Sequence, residues 1–253
     1  MERRGRQSGD PLTSPKRFSA DYFARHSPPK WWHRGGDKPL LYQSLLRWLR
    51  RSSAIRSLVV DVGCGTGALS ARLEKAGFRV VAMDLSAWAA RAAKVGGVEH
   101  VLVGSAVSLP FRESSVQVVC CLDVIEHLAD PAAFFADAWR VMAPGGVLVI
   151  STPNPESLGS RLKGRTSFIF RDPTHRTVLR RGEWRRMLQS VGFDTLREGT
   201  DTLWDPPYVH WLPHSLQRLA FLLISQVFWA WQPAFAWSLG ENFWWLGRKP
   251  GRL

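Results

Sequence analysis

Between residues 39 and 152 the hydrophobic positions of this chain switch repeatedly between two periods. Residues 39–52, PLLYQSLLRWLRRS, place leucines and Trp48 at helical spacing and predict an amphipathic helix. SLVVDVGCGTG then reads as a short buried strand running into a glycine turn, and ALSARLEKAG as a helix closed by Gly77. FRVVAMDLS is a second strand, AWAARAAKVGG a second helix and VEHVLVGSA a third strand. VQVVCCLDV follows as a fourth strand, PAAFFADAWRVMA as a helix with Pro131 near its start, and Pro144-Gly145-Gly146 as a turn into a fifth strand, VLVIST. Strands that are apolar almost throughout are buried on both faces, and strands that alternate with helices pair in parallel. The pattern predicts an α/β fold with a mostly parallel sheet and helices on both faces.

Past Thr152 the alternation stops. PNPESLGSRLKGRTSFIFRDPTHRTVL reads as irregular and basic, GEWRRMLQSVGF as a helix ending at Gly192, FDTLREGTDT as a strand and NFWWLGRKP as the last strand. Residues 203–240 interrupt with proline, tryptophan and apolar residues. The expected organisation is a disordered basic tail (1–17), an N-terminal helical cap (18–54), a core (55–202), a tryptophan-rich helical insertion (203–240), and the final strand with its tail (241–253).

Composition changes this picture in three places. Of the 253 residues only three are cysteines, Cys64 in the glycine loop and Cys120 and Cys121 side by side in a strand, so no disulfide framework is expected. With no signal-peptide core in the first residues, the expected compartment is the cytoplasm. The net charge is +13, and the excess is concentrated in the first 17 residues and in 161–186, which suits a solvated surface, an anionic membrane or an anionic polymer. Seven of thirteen tryptophans lie between Trp204 and Trp245.

That aromatic cluster flanks LQRLAFLLISQVFWAW (216–231), an apolar run shorter than the roughly 20 residues a membrane span needs. Trp204, Tyr208, Trp211, Trp229, Trp231, Trp237, Trp244 and Trp245 surround it. Amphipathic aromatics favour a membrane–water interface. The run is therefore expected to dock peripherally on an anionic membrane, to cap an acceptor pocket or to form a dimer contact. Asp205-Pro206-Pro207-Tyr208 spells the tetrapeptide with which nucleic-acid amino-methylases grip a flipped base, but there it ends the fourth strand. Here it comes some eighty residues later, so it reads as a hinge into the insertion.

The candidate chemistry begins at the glycine turn. Gly63, Gly65 and Gly67 let a ligand approach the backbone at a helix N-terminus, and Asp84, 17 residues after Gly67, ends the second strand where a carboxylate can accept ribose hydroxyls. Gly63-Cys64-Gly65-Thr66-Gly67-Ala68 also satisfies the dinucleotide fingerprint of a nicotinamide enzyme, so the loop alone leaves both cofactors open.

VVDVGCGTG, VVAMDLS, SLPF, LDVIEHL and RVMAPGGVLVISTPN together resemble class I S-adenosylmethionine-dependent methyltransferases in order and spacing. They look most like the branch containing quinone-biosynthesis O-methyltransferases. The likeness spans roughly residues 55–202 and the final strand. It implies a Rossmann-like seven-stranded sheet with an antiparallel last strand, and S-adenosylmethionine as cofactor. By that resemblance Asp61, Gly63, Gly65 and Gly67, with Cys64 in the same loop, cradle the methionine end. Asp84 holds the ribose, Leu85 packs on adenine, Ser105 and Ala106 lie at the adenine edge, and Leu122 and Asp123 sit beside the methionine part. Two positions depart from the family pattern: Ser105 stands where an aspartate is usual, and Gln117 enters the fourth strand in place of one.

A hydroxyl acceptor must lose a proton, and histidine is the commonest group to take it. His127, after the fourth strand, and His175, which Asp172 could orient, are the candidate bases; His33, His210 and His214 could line a pocket. No metal-ligand spacing stands out, so no metal is expected. The expected activity is methyl transfer to a small or lipid-linked apolar acceptor, on oxygen. A nucleic-acid methylase, a nicotinamide-dependent reductase and a non-catalytic cofactor-binding protein are the alternatives.

Overall fold

The computed structural model describes residues 18–26, 39–51, 57–201, 208–209, 211–213, 215–217, 219–220 and 240–251. The expected tail and most of the tryptophan-rich insertion, including Asp205–Pro207 and residues 221–239, lie outside them, as do His33, His210 and His214.

Seven strands form one sheet: β1 (Leu58–Val62), β2 (Arg79–Asp84), β3 (Val101–Val103), β4 (Val116–Leu122), β5 (Met142–Pro153), β6 (Asp194–Thr200) and β7 (Asn242–Arg248). Their order is β3-β2-β1-β4-β5-β7-β6. The first five are parallel, and β7 runs antiparallel to both β5 and β6. Two helices precede the sheet, α1 (Ala20–His26) and α2 (Pro39–Arg51). Around it lie α3 (Ala68–Lys75), α4 (Ala87–Val95), α5 (Pro131–Val141), α6 (Leu158–Lys163), α7 (Phe168–Arg171) and α8 (Arg181–Val191).

Apolar runs in the strands are resolved into two faces by the strand period of two. In β1, Val60 and Val62 join Val119, Cys121, Leu148 and Ile150 in a core closed by Phe134, Phe135 and Ala138 of α5 and Trp184 and Leu188 of α8. Their neighbours Val59, Val118, Cys120, Val147 and Val149 face the other way, against Leu69 and Leu73 of α3 and Tyr42, Leu45 and Leu49 of α2. Both cysteines of the Cys120–Cys121 pair are thus core groups, one on each face. Gln117 is structural. Its Oε1 accepts the Leu58 N–H at 2.9 Å, pinning the start of β1 to β4.

Helix ends follow ordinary capping chemistry. Asp130 accepts from Ala133 N–H at 3.1 Å, with Pro131 in the first turn of α5. Gly192 closes α8 in the left-handed conformation at φ 110°. Pro144-Gly145-Gly146, expected as a turn before the fifth strand, loops out within β5: Val116 pairs with Met142, but Val118 pairs with Val147. The stretch expected to be irregular holds α6, a 3-10 turn at Gly164–Thr166, and α7. These pieces are too short for helical periodicity to show, and local capping starts the first: Ser157 Oγ accepts from Ser160 N–H at 3.0 Å.

Trp244 and Trp245, grouped in sequence with the interfacial aromatics, are core residues of β7. Trp245 is 0% exposed, meets Phe193 edge-on, and donates from Nε1 to Thr195 Oγ1 at 3.1 Å. The reason is strand geometry: β7 inserts between β5 and β6 and buries both of its faces. Trp211, by contrast, is 84% exposed. No helix among the described residues is long and apolar enough to cross a membrane. Replacing Trp245 with alanine should lower unfolding free energy by about 3–5 kcal/mol, as measured by urea denaturation, because a large buried ring leaves a cavity.

Candidate functional site

The sheet order reverses between β1 and β4, and a parallel sheet opens a crevice at the carboxyl ends of its strands at such a point. The loop leaving β1 carries three glycines in positive-φ conformations, Gly63 at 72°, Gly65 at 53° and Gly67 at 84°. A Cβ on Gly63 would collide with Val124 Cγ2, and one on Gly67 would stand 2.7 Å from Val98 Cγ2. Both positions therefore demand glycine for conformation and for space.

One carboxylate braces this loop, and a second lies at its entry. Asp84 Oδ2 accepts the Gly65 N–H at 2.9 Å, and its Oδ1 accepts the Ser86 N–H at 2.8 Å. The Gly63 and Cys64 N–H groups donate to the Met83 carbonyl at 2.7 and 3.0 Å. Asp61, 3% exposed at the end of β1, accepts a 2.5 Å bond from Ser70 Oγ. Burial pushes its carboxyl up to about 6, the nearby Asp84 charge adds to the rise, and the Ser70 bond opposes it. Burial raises Asp84 too, against its two backbone bonds. Neither carboxylate forms an ion pair among the described residues. Burial raises the Cys64 thiol, so this cysteine is an uncharged loop residue.

The other candidates line the same edge. Leu85 follows Asp84 and is half-buried; Ser105 and the buried Ala106 follow β3, after a Gly104 N–H bond to the Asp84 carbonyl at 2.9 Å. Ser105 Oγ accepts a 3.4 Å contact from Val107 N–H. Half-buried Leu122 ends β4, and Asp123 takes φ 57°, a left-handed conformation rare outside glycine. Two bonds hold it there, Asp123 N–H to the Ser151 carbonyl at 2.9 Å and Ser151 Oγ–H to Asp123 Oδ1 at 2.8 Å. Such strain collects where a side chain must be aimed.

His127 ends a 3-10 turn, Ile125–His127, directly after β4, and His175 comes from the segment beyond α7. Their ring centroids are 4.9 Å apart. Backbone bonds from Arg176 and Thr177 N–H to the Glu126 carbonyl, 2.7 and 2.9 Å, bring the two segments together. Thr174 Oγ1 donates its proton to Asp172 Oδ1 at 2.5 Å, so toward His127 Nδ1, 2.9 Å away, the same oxygen is an acceptor. His127 therefore carries its proton on Nδ1. Asp172 reaches both histidines: its Oδ2 stands 3.9 Å from His175 Nε2, and its Oδ1 acts through Thr174 on His127. The His175 Nδ1–H donates to the Ile169 carbonyl at 2.7 Å.

Burial depresses the His127 pKa to about 4, the neighbouring His175 pushes the same way, and Asp172 only partly offsets them. Asp172 itself lies below the usual carboxylate range, because its bonds from Thr174 outweigh burial. A third group joins the pair: buried Glu126, His127 and His175 each offer a ligand atom within 4.8 Å of the others. Spacing in sequence does not show this cluster, since His127 and His175 are 48 residues apart.

Helix α1, which the sequence places only within an N-terminal cap, brings aromatic residues to this edge. Ser86 Oγ donates to the Phe18 carbonyl. Phe23 stacks on Trp88 at 5.2 Å and lies 3.6 Å from where a Gly65 Cβ would sit. Tyr22 donates to Asp172 Oδ2 at 3.3 Å, and Phe18 meets His127 edge-on at 5.6 Å. The ADYFARH segment is legible as a polar–aromatic run, but nothing in it names its target.

A methyltransferase domain model matches residues 37–198. The ubiquinone biosynthesis O-methyltransferase of Xanthomonas oryzae pv. oryzae is 32% identical over 140 residues, covering 49% of this chain and 56% of that protein. The enzyme of the same description from Ralstonia nicotianae is 36% identical over 133 residues, with the same coverage. The chain thus spans just over half the length of these curated relatives. Among solved structures, magnesium protoporphyrin IX methyltransferase from Synechocystis PCC 6803, with bound S-adenosylhomocysteine, superposes with a TM-score of 0.63 at 18% identity, covering 93% of this chain and 97% of that one. A SAM-dependent methyltransferase from Archaeoglobus fulgidus gives 0.58 at 16% identity, covering 87% and 100%. With the family model spanning most of its core and the sheet order carrying the same fold, the chain belongs to the class I S-adenosylmethionine-dependent methyltransferases.

Proposed function

We propose that this protein moves a methyl group from S-adenosylmethionine to the hydroxyl oxygen of a small or lipid-linked apolar acceptor. The observation that carries the reading is the shared strand edge: the braced glycine loop and the His127–His175 pair lie on it together. The donor set suits the cofactor. Asp61 and Asp84 are buried carboxylates without a cationic partner among the described residues, and a cationic ligand offsets their charge. Among the described residues only Phe23 comes within 4 Å of where a Gly65 Cβ would sit. In this reading Asp84 and the loop glycines hold the nucleoside and methionine ends, Leu85, Ser105 and Ala106 flank the adenine, and Leu122 and Asp123 border the methionine part.

When bound, the cofactor supplies a methyl group on a positively charged sulfur. The protein's share is to align acceptor and methyl group, exclude water, and deal with the acceptor's proton. Phe18, Tyr22 and Phe23 of the N-terminal segment supply apolar cover, and His127 Nε2 is the nitrogen left with a lone pair once Thr174 holds Nδ1. Acceptors resembling hydroxylated quinols fit the names of the sequence relatives. The exposed Trp211, Val209, Leu216 and Leu219 favour a peripheral membrane contact through 203–240, from which a lipid-soluble acceptor could enter. The nucleic-acid reading gains nothing from Tyr208, whose ring lies under the Lys163 ammonium at 4.6 Å.

Radiolabelled cofactor incubated with phenolic lipids, polar metabolites and RNA should leave label in an organic-extractable methyl ether; label in RNA alone would overturn the proposal. Asp84→Ala should weaken S-adenosylhomocysteine binding roughly 10- to 100-fold by calorimetry, as expected on losing charge-assisted bonds. Unchanged affinity would remove Asp84 from the site.

Asp61 gives a pH prediction. Its folded pKa, about 6, lies above the ordinary 3.8, so the folded state binds the extra proton between these values. The cofactor-free protein is therefore expected to lose stability from this group as pH rises from about 4 through about 6. Asp61→Asn should abolish that loss, raising the cofactor-free melting temperature at pH 7 by the equivalent of up to ~3 kcal/mol while weakening cofactor binding. Thermal melts at pH 4 to 8 with and without S-adenosylhomocysteine check both halves.

A further inference from the structure

We propose that Lys163 is a positioning residue for the acceptor. Its ammonium clamps both ends of the tryptophan-rich insertion onto α6, and α6 passes that fixed position on to the segment carrying His175. The kinetic consequence rests on the methyl-transfer reading, whereas the clamp itself rests on geometry alone.

The insertion joins β6 to β7, which are neighbours in the sheet, so its ends start close together. At the returning end, Asn242 donates from its backbone N–H and from Nδ2 to the two Asp201 carboxylate oxygens, at 2.7 and 2.9 Å. Asn154, just past β5, donates from Nδ2 to the Gly240 carbonyl and from its N–H to the Glu241 carbonyl, both at 2.8 Å. The leading end, from Tyr208, is a tight turn built around Gln217, which is 2% exposed. Gln217 Oε1 accepts the Tyr208 and Val209 N–H groups at 2.8 and 3.2 Å, and Nε2 donates to the Val209 and Leu212 carbonyls at 2.8 and 2.6 Å.

Lys163 joins the two ends. Its Nζ lies 3.1 Å from Glu241 Oε1, with both side chains buried, and 4.6 Å from the centroid of the Tyr208 ring. The α6 backbone comes just as close: a Cβ on Gly159 would collide with Glu241 Oε1 and stand 2.9 Å from Tyr208 Cε1. A buried ion pair adds little net stability over an apolar pair, and its best-attested use is to fix one arrangement of the parts it joins. A lysine held between a buried carboxylate and an aromatic face does that here for one helix and both ends of an insertion.

From α6 the contacts continue to the histidine pair. Ser160 Oγ lies 3.4 Å from Ser167 Oγ, both buried, and Ser167 opens α7, whose Ile169 carbonyl holds the His175 Nδ1–H at 2.7 Å. The turn gripped by Lys163 carries the exposed Val209, Trp211 and Leu216. Lys163 thereby sets where this apolar surface stands relative to the histidine pair.

Two full-length variants release the clamp in different ways. Tyr208→Leu frees the turn alone, and Lys163→Met combined with Glu241→Gln removes both charges so that neither is left buried without its partner. Hydrogen exchange over 208–217 should quicken about 3- to 30-fold in Tyr208→Leu, as expected on losing a cation–π contact. The double variant should exchange there at least as fast, with β4 exchanging as in the wild type. With dodecylcatechol as acceptor, KM of the double variant should rise about 10-fold or more while kcat stays within about 3-fold, the signature of lost acceptor binding. Its S-adenosylhomocysteine affinity should be unchanged. Wild-type exchange over 208–217 in the double variant would overturn the clamp. An unchanged KM, or kcat and S-adenosylhomocysteine affinity falling together with it, would remove the positioning role. If the double variant does not fold, Tyr208→Leu decides by the same readouts. Faster exchange in the variants, with no wild-type methyl transfer to any phenolic acceptor, would instead sink the methyl-transfer reading and leave the clamp standing.

Discussion

The Asp84 carboxylate joins two parts of the chain that the sheet alone would leave independent. One oxygen takes the N–H of Gly65 in the loop after β1, and the other takes the N–H of Ser86, which caps α4 after β2. A loop of glycines has the greatest freedom to lose on folding. These bonds, with those to the Met83 carbonyl, confine it to a single shape. Everything proposed for the cofactor depends on that shape, since the loop offers backbone rather than side chains. The arrangement also keeps charge in a dry place, and Asp61 beneath it shows the cost in its raised pKa.

A second constraint sits at the end of β4. The chain turns there through Asp123 in a left-handed conformation and then through the short turn bearing Glu126 and His127. Because β4 is flanked by β1 and β5, both buried in the sheet, this turn has little freedom to drift. The segment from Asp172 to Thr177 is fastened to it by backbone bonds, so the orienting Thr174 and the second histidine arrive as one unit. Precision at the histidine pair is inherited from the sheet.

What sequence discloses and what it conceals divide along the range of the interactions. The strand–loop–helix of residues 58–75 is legible because its signals are local: a buried strand, glycines at fixed offsets, then an amphipathic period. The alternation to Thr152 is legible for the same reason. Nearness in sequence makes Asp172 the obvious partner of His175, but it does not show that Asp172 also reaches, through Thr174, a histidine 45 residues upstream. Glu126 carries no signal in sequence because its adjacency to His175 exists only after folding. Proximity along the chain groups Trp244 and Trp245 with the aromatics of the insertion, while strand pairing puts them in the core.

Helix α1 has only seven residues, too few to persist in water by itself. It holds its form through what it and the residues just before it touch: the Ser86 hydroxyl, Trp88, Asp172 and the ring of His127. Undocking it means melting it, with three aromatic rings released into solvent. Folding of this segment and closure of the edge beneath it are therefore one equilibrium. Any ligand that fills that edge and touches α1 strengthens the fold of the N-terminus as it binds, and the helix in turn slows the ligand's departure.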